Sequence, residues 1–474
     1  MQDFLKDIVR IVNWDRLGED FYSSKIVSGV EDFSKEVLEK VGKEGDDAVR
    51  AFSKKFDKVT PSFFEISKTE ISGAVEKLKI SEPEVYEALS NSWSLALDFA
   101  KKQRECFTDF EYEISPGLFA GQKNIPVDRA GIYVPAGRFP LLSSVIMGAA
   151  PARAAGVREI ILLSPPKAHP APECMDDPDS PWIDEGILAA AGICGIDRVF
   201  AIGGAQAIAA MAFGTQSVPK VDVIVGPGNK YVASAKKLAY GLVGIDMIAG
   251  PSEVFIIGDS SVNPDWVACD MIAQAEHDPD AQSVFVTVDK KLGENVLSSL
   301  KKLIPEIYSP KGLTGENEIS SYFENLPAVK SLKNNGLIII ADSLEKIAEI
   351  ANRKAPEHLE LSMKPGPEMD FLRNELKNYG SLFIGDKTAE VLGDYAAGVN
   401  HVLPTGGAAR YAGGLSVRTF LKTLTNLRAG TKKEPGKRAD FSGLENSLSW
   451  ADTLGQAEGL LGHAMAARIR KNKD

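Results

Sequence analysis

Two textures alternate along the chain. Residues 1–22 place apolar and charged residues at helical spacing, as a short helical arm would. From 23 to about 122 the period is again helical, with Leu38, Val41, Val49 and Phe52 punctuated by Gly45 and by charge. At Arg129 the pattern changes. Short apolar runs predict strands at 131–134, 159–163, 198–202, 221–225 and 246–249, and Ala-rich stretches predict helices at 143–155, near Ile187, from Ala205 and at 231–240. A second run follows, with strands at 254–257, 283–288, 337–341 and 381–384 and helices from Pro264, near Leu297 and from Leu344. This rhythm implies parallel sheets covered by helices on both faces, so the expected fold is α/β with two doubly wound domains. The division it suggests is an arm (1–22), one α/β domain from 23–129 with 253–411, a second from 130–252, and a helical tail (412–474). The last sixty or so residues lose strand character, turn basic over 432–438 and end in a helix with Leu454, Ala457, Leu461 and Ala464 on one stripe. Such a tail needs the body or another subunit to pack on. A Pro-rich, acidic insert at 164–181 reads as a surface loop.

Composition narrows the partners. Across 474 residues the formal net charge is -11, which argues against an electrostatic grip on nucleic acid or anionic lipid and leaves small molecules as ligands. The opening Met-Gln-Asp-Phe-Leu-Lys-Asp has no basic region leading into an apolar run, and no stretch approaches about 20 uninterrupted apolar residues, so a cytoplasmic protein without a membrane span is expected. Cys106, Cys174, Cys194 and Cys269 are widely spaced and form no C-x-x-C pair, which marks them as reduced and structural.

Candidate chemistry clusters in three kinds of place. Glycine turns come first: Val134-Pro135-Ala136-Gly137, Gly203-Gly204-Ala205-Gln206, Gly226-Pro227-Gly228-Asn229 and Gly250-Pro251-Ser252-Glu253 stand at strand ends, where ligands of open parallel sheets bind. No G-x-G-x-x-G fingerprint follows any strand, so ordinary βα turns are an equal reading. Second, Asp270, Gln274 and His277 follow an i, i+4, i+7 spacing and share one face of the helix from Pro264. Third, of five histidines, His169 lies in the insert, while His277, His358, His401 and His463 each sit among carboxylates or amides. Such donors suit zinc or a similar divalent ion, and they suit helix caps and surface histidines as well. Glu357 and His358 are a candidate acid/base pair at an irregular junction, because Pro356 disfavours a helical Ala355.

Seven motifs in order resemble the histidinol dehydrogenase family: Gly131-Ile-Tyr-Val-Pro, Gly203-Gly-Ala-Gln-Ala-Ile-Ala-Ala, Val225-Gly-Pro-Gly-Asn-Lys-Tyr-Val, Ile245-Asp-Met-Ile-Ala-Gly-Pro-Ser-Glu, Gln274-Ala-Glu-His, Ala355-Pro-Glu-His-Leu, and Gly393-Asp-Tyr through Asn400-His-Val-Leu-Pro-Thr. The resemblance runs from Gly45-Asp46 through Phe56-Asp57 to His463. It implies two incomplete Rossmann-like domains, with NAD on 130–252 and most zinc and catalytic residues on the other. Gln274, His277, Asp394 and His463 would bind zinc. Spacing alone pointed to Glu276 as a ligand, but Gln274 and His277 are i, i+3 on the helix and Glu276 points elsewhere. Ser252 and Glu458 would complete the pocket for L-histidinol alongside the zinc ligands and His358, and His401 would line it. Tyr133, Gln206 and Asn229 match positions that contact NAD. Asp270 keeps a supporting role.

The implied reaction oxidises alcohol to aldehyde and then to carboxylate, consuming two NAD⁺, with His358 as base for the hydroxyl and Glu357 activating water. No cysteine stands in a reactive motif, which agrees with a hydrated intermediate. Similar proteins are homodimers with shared active sites, which would place Glu458 and His463 in the other subunit's site. The 164–181 insert and the basic loop before Asp440 look longer than usual for the family, and the Val134-Pro-Ala-Gly turn has alanine where a second glycine is common. Rival readings of the same residues are a related enzyme for another hydroxymethyl compound, a zinc hydrolase using Glu357, and a metal-binding scaffold without activity.

Overall fold

The computed structural model describes the chain apart from residues 1–4, 6, 24–28, 60, 62, 137–139, 168–181, 311, 314, 431–438 and 472–474. Gly137, His169, Cys174, most of the Pro-rich insert and most of the basic loop therefore lie outside the described residues. Two compact units emerge, one from 1–101 with 128–420 and the other from 102–127 with 421–474.

The larger unit holds two six-stranded sheets. In the first, the order is Glu65–Ile66, Arg198–Ala201, Glu159–Ser164, Arg129–Tyr133, Val223–Val225 and Gly244–Ile245, all parallel except the antiparallel edge strand Glu65–Ile66. In the second it is Arg10–Asn13, Leu337–Ile340, Gln282–Thr287, Glu253–Gly258, His358–Ser362 and Ser381–Ile384, parallel throughout. Burial on both faces explains why the central strands read as unbroken apolar runs. In the second sheet, Val254, Ile256, Phe285 and Ile338 join one core with Met271 and Leu300, while Phe255, Ile257, Leu359 and Leu361 join another with Ile347 and Leu372. Strand alternation thus sends successive side chains to opposite helical layers.

Three expectations change. Arg10–Asn13 is a strand paired with Leu337–Ile340, where helical spacing had been read. Within 23–129, which had been expected with 253–411, the segment 37–64 packs on the first sheet. Val37, Leu38, Val41, Val49, Phe52 and Phe64 share a core with Ile161, Phe200 and Ile208 of the first sheet, and the helix Lys68–Ser81 packs on Glu185–Ile193. A helical period tells which face is buried but not against what. The tail also contains a strand, Leu421–Ala429, paired antiparallel with Leu118–Pro126, which pairs in turn with Phe110–Ser115. In this second unit the helices Ser442–Ala457 and Leu461–Arg468 pack on one another, tied by Arg468 to Asp452 at 2.8 Å.

Candidate functional site

The second sheet gathers polar groups at the amino ends of its central strands. Along His358–Ser362, Leu359 and Leu361 enter the core, so His358 and Glu360 share the opposite face. The helix Pro264–His277, started by Asn263 capping Asp265 N–H and by Pro264 in the first turn, runs back over that face. A short helix, Glu390–Tyr395, presents Glu390 and Asp394 one turn apart. The stripe on the long helix then forms three rungs. Asp270 hydrogen-bonds Glu360. Gln274 satisfies its surroundings only with Nε2 toward Glu390, donating to both carboxylate oxygens and leaving Oε1 turned the other way. His277 acts electrostatically on Asp394.

Glu253 organises the candidate acid/base pair through its backbone. Its N–H donates to Glu357 Oε2 at 2.8 Å, and its carbonyl lies 3.2 Å from His358 Nδ1. A carbonyl can only accept, so Nδ1 carries the proton and Nε2 keeps a lone pair. Among the described residues His358 Nε2, which is buried, has no hydrogen-bond partner, and it lies 4.0 Å from Asp394 Oδ1. The Glu253 carboxylate is anchored in turn by Lys354 Nζ at 2.9 Å and by the N–H of Gly406 at 3.3 Å. Lys354 and Glu253 are both almost fully buried.

Burial dominates the electrostatics. It pushes Glu357, Glu360 and Glu390 well above the usual carboxylate range, Asp270 to about 7 and Asp394 to about 6, with neighbouring carboxylates adding to the rise at Glu357, Glu360 and Glu390. The same burial pushes His358 down to about 3 and His401, whose Nδ1 lies 3.0 Å from the Asp394 carbonyl, down to about 4, so both imidazoles are neutral near pH 7.

These donors fit a divalent cation. His358, Glu390 and Asp394 bring ligand atoms within 4.8 Å of one another. Of the four ligands expected from the resemblance, Asp394 is in this group, Gln274 hydrogen-bonds its Glu390 and His277 acts electrostatically on Asp394, with Gln274 Oε1 and His358 Nε2 as neutral donor atoms nearby. Ser252 precedes the Glu253–Gly258 strand, its carbonyl accepting from Gln282 N–H at 2.9 Å. Glu458 caps Ser442–Ala457 and His463 lies in Leu461–Arg468; both are exposed and belong to the smaller unit. Sequence reasoning missed Glu390, Glu360, Glu253 and Lys354. The available signal for Glu390 was a second carboxylate four residues before Asp394 on one helical face.

The first sheet offers turns at the carboxyl ends of its strands. Tyr133 is buried, its hydroxyl accepting from Gly204 N–H at 3.1 Å, and burial pushes it up to about 12. Gln206 is buried and donates from Nε2 to Asp57 at 3.3 Å. Asn229 caps the helix Lys230–Ala239, its Oδ1 accepting from Tyr231 and Val232 N–H, which leaves its Nδ2 as the free polar edge.

One parallel sheet with glycine turns at strand ends and another with a buried cluster of carboxylates and neutral imidazoles define an α/β enzyme equipped for a metal ion and a second ligand. The family model for histidinol dehydrogenase matches residues 23–471. Among curated relatives, the histidinol dehydrogenase of Streptococcus mutans is 40% identical over 460 residues, 96% of each chain, and that of Aquifex aeolicus is 41% identical over 440 residues, 92% of each. The crystal structure of histidinol dehydrogenase from Elizabethkingia anophelis superposes with a TM-score of 0.83 at 31% identity, covering 98% of both chains. The chain therefore belongs to the histidinol dehydrogenase family and is an oxidoreductase.

Proposed function

We propose that the protein catalyses the last step of histidine biosynthesis, the zinc- and NAD-dependent oxidation of L-histidinol through L-histidinaldehyde to L-histidine, as a cytoplasmic homodimer with shared active sites. The observation that carries this reading is His358, a neutral imidazole fixed through Nδ1 on the Glu253 carbonyl with a buried Nε2 that has no hydrogen-bond partner among the described residues. Such a nitrogen is a base held ready for a hydroxyl proton. Nε2 would take that proton as the alcohol is oxidised to the aldehyde, with bound NAD⁺ supplying the hydride acceptor. Glu357 is held by the Glu253 N–H through one oxygen, and its other oxygen accepts a proton from the water that adds to the aldehyde. The hydrate would then be oxidised to the carboxylate, a second bound NAD⁺ supplying the hydride acceptor while His358 Nε2 and solvent take the two hydroxyl protons.

Gln274, His277 and Asp394 would hold zinc with His463 from the other subunit, and the ion, when bound, supplies a Lewis acid that fixes the substrate's imidazole and amino nitrogens. Ser252 and Glu458 complete the pocket, with the Glu458 carboxylate suited to an ammonium group. Tyr133, Gln206 and Asn229 receive the dinucleotide. The test is to supply zinc, NAD⁺ and L-histidinol and to follow NADH and product. Two NADH per L-histidine, lost on chelation and restored by zinc, are expected. No NADH would refute the reading, and NADH only with other alcohols would favour a relative of different specificity.

A further inference from the structure

Gly226 ends the Val223–Val225 strand with φ 115°, and a Cβ there would meet the Tyr133 carbonyl oxygen at 2.1 Å, so this position takes only glycine. Both of its backbone polar groups are held by side chains. Its N–H donates to Asp246 Oδ2 at 2.8 Å, and its carbonyl accepts from Lys236 Nζ at 3.0 Å. Lys236 and Asp246 form an ion pair with each other, at 3% and 0% side-chain exposure, and Asp246 Oδ1 also accepts from Met247 N–H at 2.7 Å. Nothing in the mechanism above uses either charge.

A buried ion pair is poor value as a source of stability, because desolvation offsets the attraction and an apolar pair of the same volume often folds as well. Its effect here is geometric. Lys236 lies on the helix Lys230–Ala239, and Asn229 caps that same helix through its side chain. The turn and the helix that follows it are therefore tied together at both ends, and the direction of the free Asn229 Nδ2 is set by the tie. We propose that Lys236 and Asp246 are a positioning pair that fixes the 226–229 turn for the incoming dinucleotide. The proposal rests on the reading of this sheet as the NAD-binding one.

The test compares Lys236→Met, Lys236→Arg and the double variant Lys236→Met/Asp246→Leu with the parent enzyme, all loaded with zinc. In Lys236→Met, KM for NAD⁺ should rise at least about tenfold, while KM for L-histidinol, zinc content and kcat at saturating NAD⁺ stay within about twofold. Lys236→Arg, which keeps a charged donor for Asp246 and the Gly226 carbonyl, should lose less than Lys236→Met. Should Lys236→Met fail to fold, the double variant removes the unpaired carboxylate and carries the same expectation. A folded variant with unchanged KM for NAD⁺ overturns the proposal, as does a parallel loss of zinc or of histidinol affinity. Failure of the parent enzyme to bind NAD⁺ sinks the underlying reading, and the proposal with it.

Discussion

At the carboxyl ends of its strands the first sheet offers glycine turns whose charges are already matched, Lys236 against Asp246, whereas the second sheet collects Asp270, Glu357, Glu360, Glu390 and Asp394 around two neutral imidazoles near the amino ends of its strands. Parallel sheets ordinarily take ligands at the carboxyl side, through helix and turn backbone. As the dinucleotide-binding sheet proposed above, the first would conform. The second departs from that rule because its working groups are side chains on a strand face and on helices folded back over it. Carboxyl groups held in excess favour a cation; turns with matched charge meet a ligand through backbone and amide hydrogen bonds instead of a side-chain charge. Lesions in the two sheets should accordingly separate in kinetics.

The largest separation is expected for His358→Asn. Without the Nε2 base, kcat should fall about 10³-fold, while NAD⁺ affinity, measured by equilibrium titration, stays unchanged. A matching loss of NAD⁺ binding would collapse the contrast between the sheets. Glu357→Gln probes the second sheet more finely. Oxidation of supplied L-histidinaldehyde should slow about 10²-fold and aldehyde formation from L-histidinol far less; equal losses in the two half-reactions would remove Glu357 from water activation.

The smallest effect belongs to Asp57, which ends the helix Asp46–Phe56 and accepts from Gln206 Nε2. Burial raises its carboxyl from 3.8 to about 6, so the folded protein keeps this proton to higher pH than the unfolded chain does. Its contribution to stability is complete below pH 3.8 and is lost as pH rises through about 6. Asparagine never ionises. With the group partly exposed, Asp57→Asn should stabilise by about 1 kcal/mol at neutral pH and by almost nothing near pH 4, read by urea unfolding at both values. A gain independent of pH would assign the effect to something other than this carboxyl.

How far these regions could be read from residues alone follows from their periodicity. Strands buried on both faces, such as Glu159–Ser164 and Glu253–Gly258, announce themselves as apolar runs, so the two-sheet plan was legible. Leu421–Ala429 was not. Its leucines at 421, 424 and 427 recur every three residues, close to a helical period, yet the segment pairs as a strand with Leu118–Pro126 along its whole length. The stripe of Asp270, Gln274 and His277 was visible as helical spacing, and their rungs on Glu360, Glu390 and Asp394 were not, because the partners come from elements some 90 to 120 residues away. Glu253 was hidden for another reason: it acts on Glu357 and His358 through main-chain atoms that every residue type possesses.

The three rungs also set the tolerances of the site. A cylinder touching its support at a single point remains free to roll, but contacts spaced along one line of the Pro264–His277 helix fix its rotation as a kinematic mount fixes an optical rod. One residue of slippage would turn the helix by about 100° and lift Asp270, Gln274 and His277 off their partners together. The Asp270–Glu360 tie, one turn before Gln274 and two before His277, therefore bears on how both are presented, and a residue inserted within the helix between Asp270 and Gln274 would act as several simultaneous substitutions.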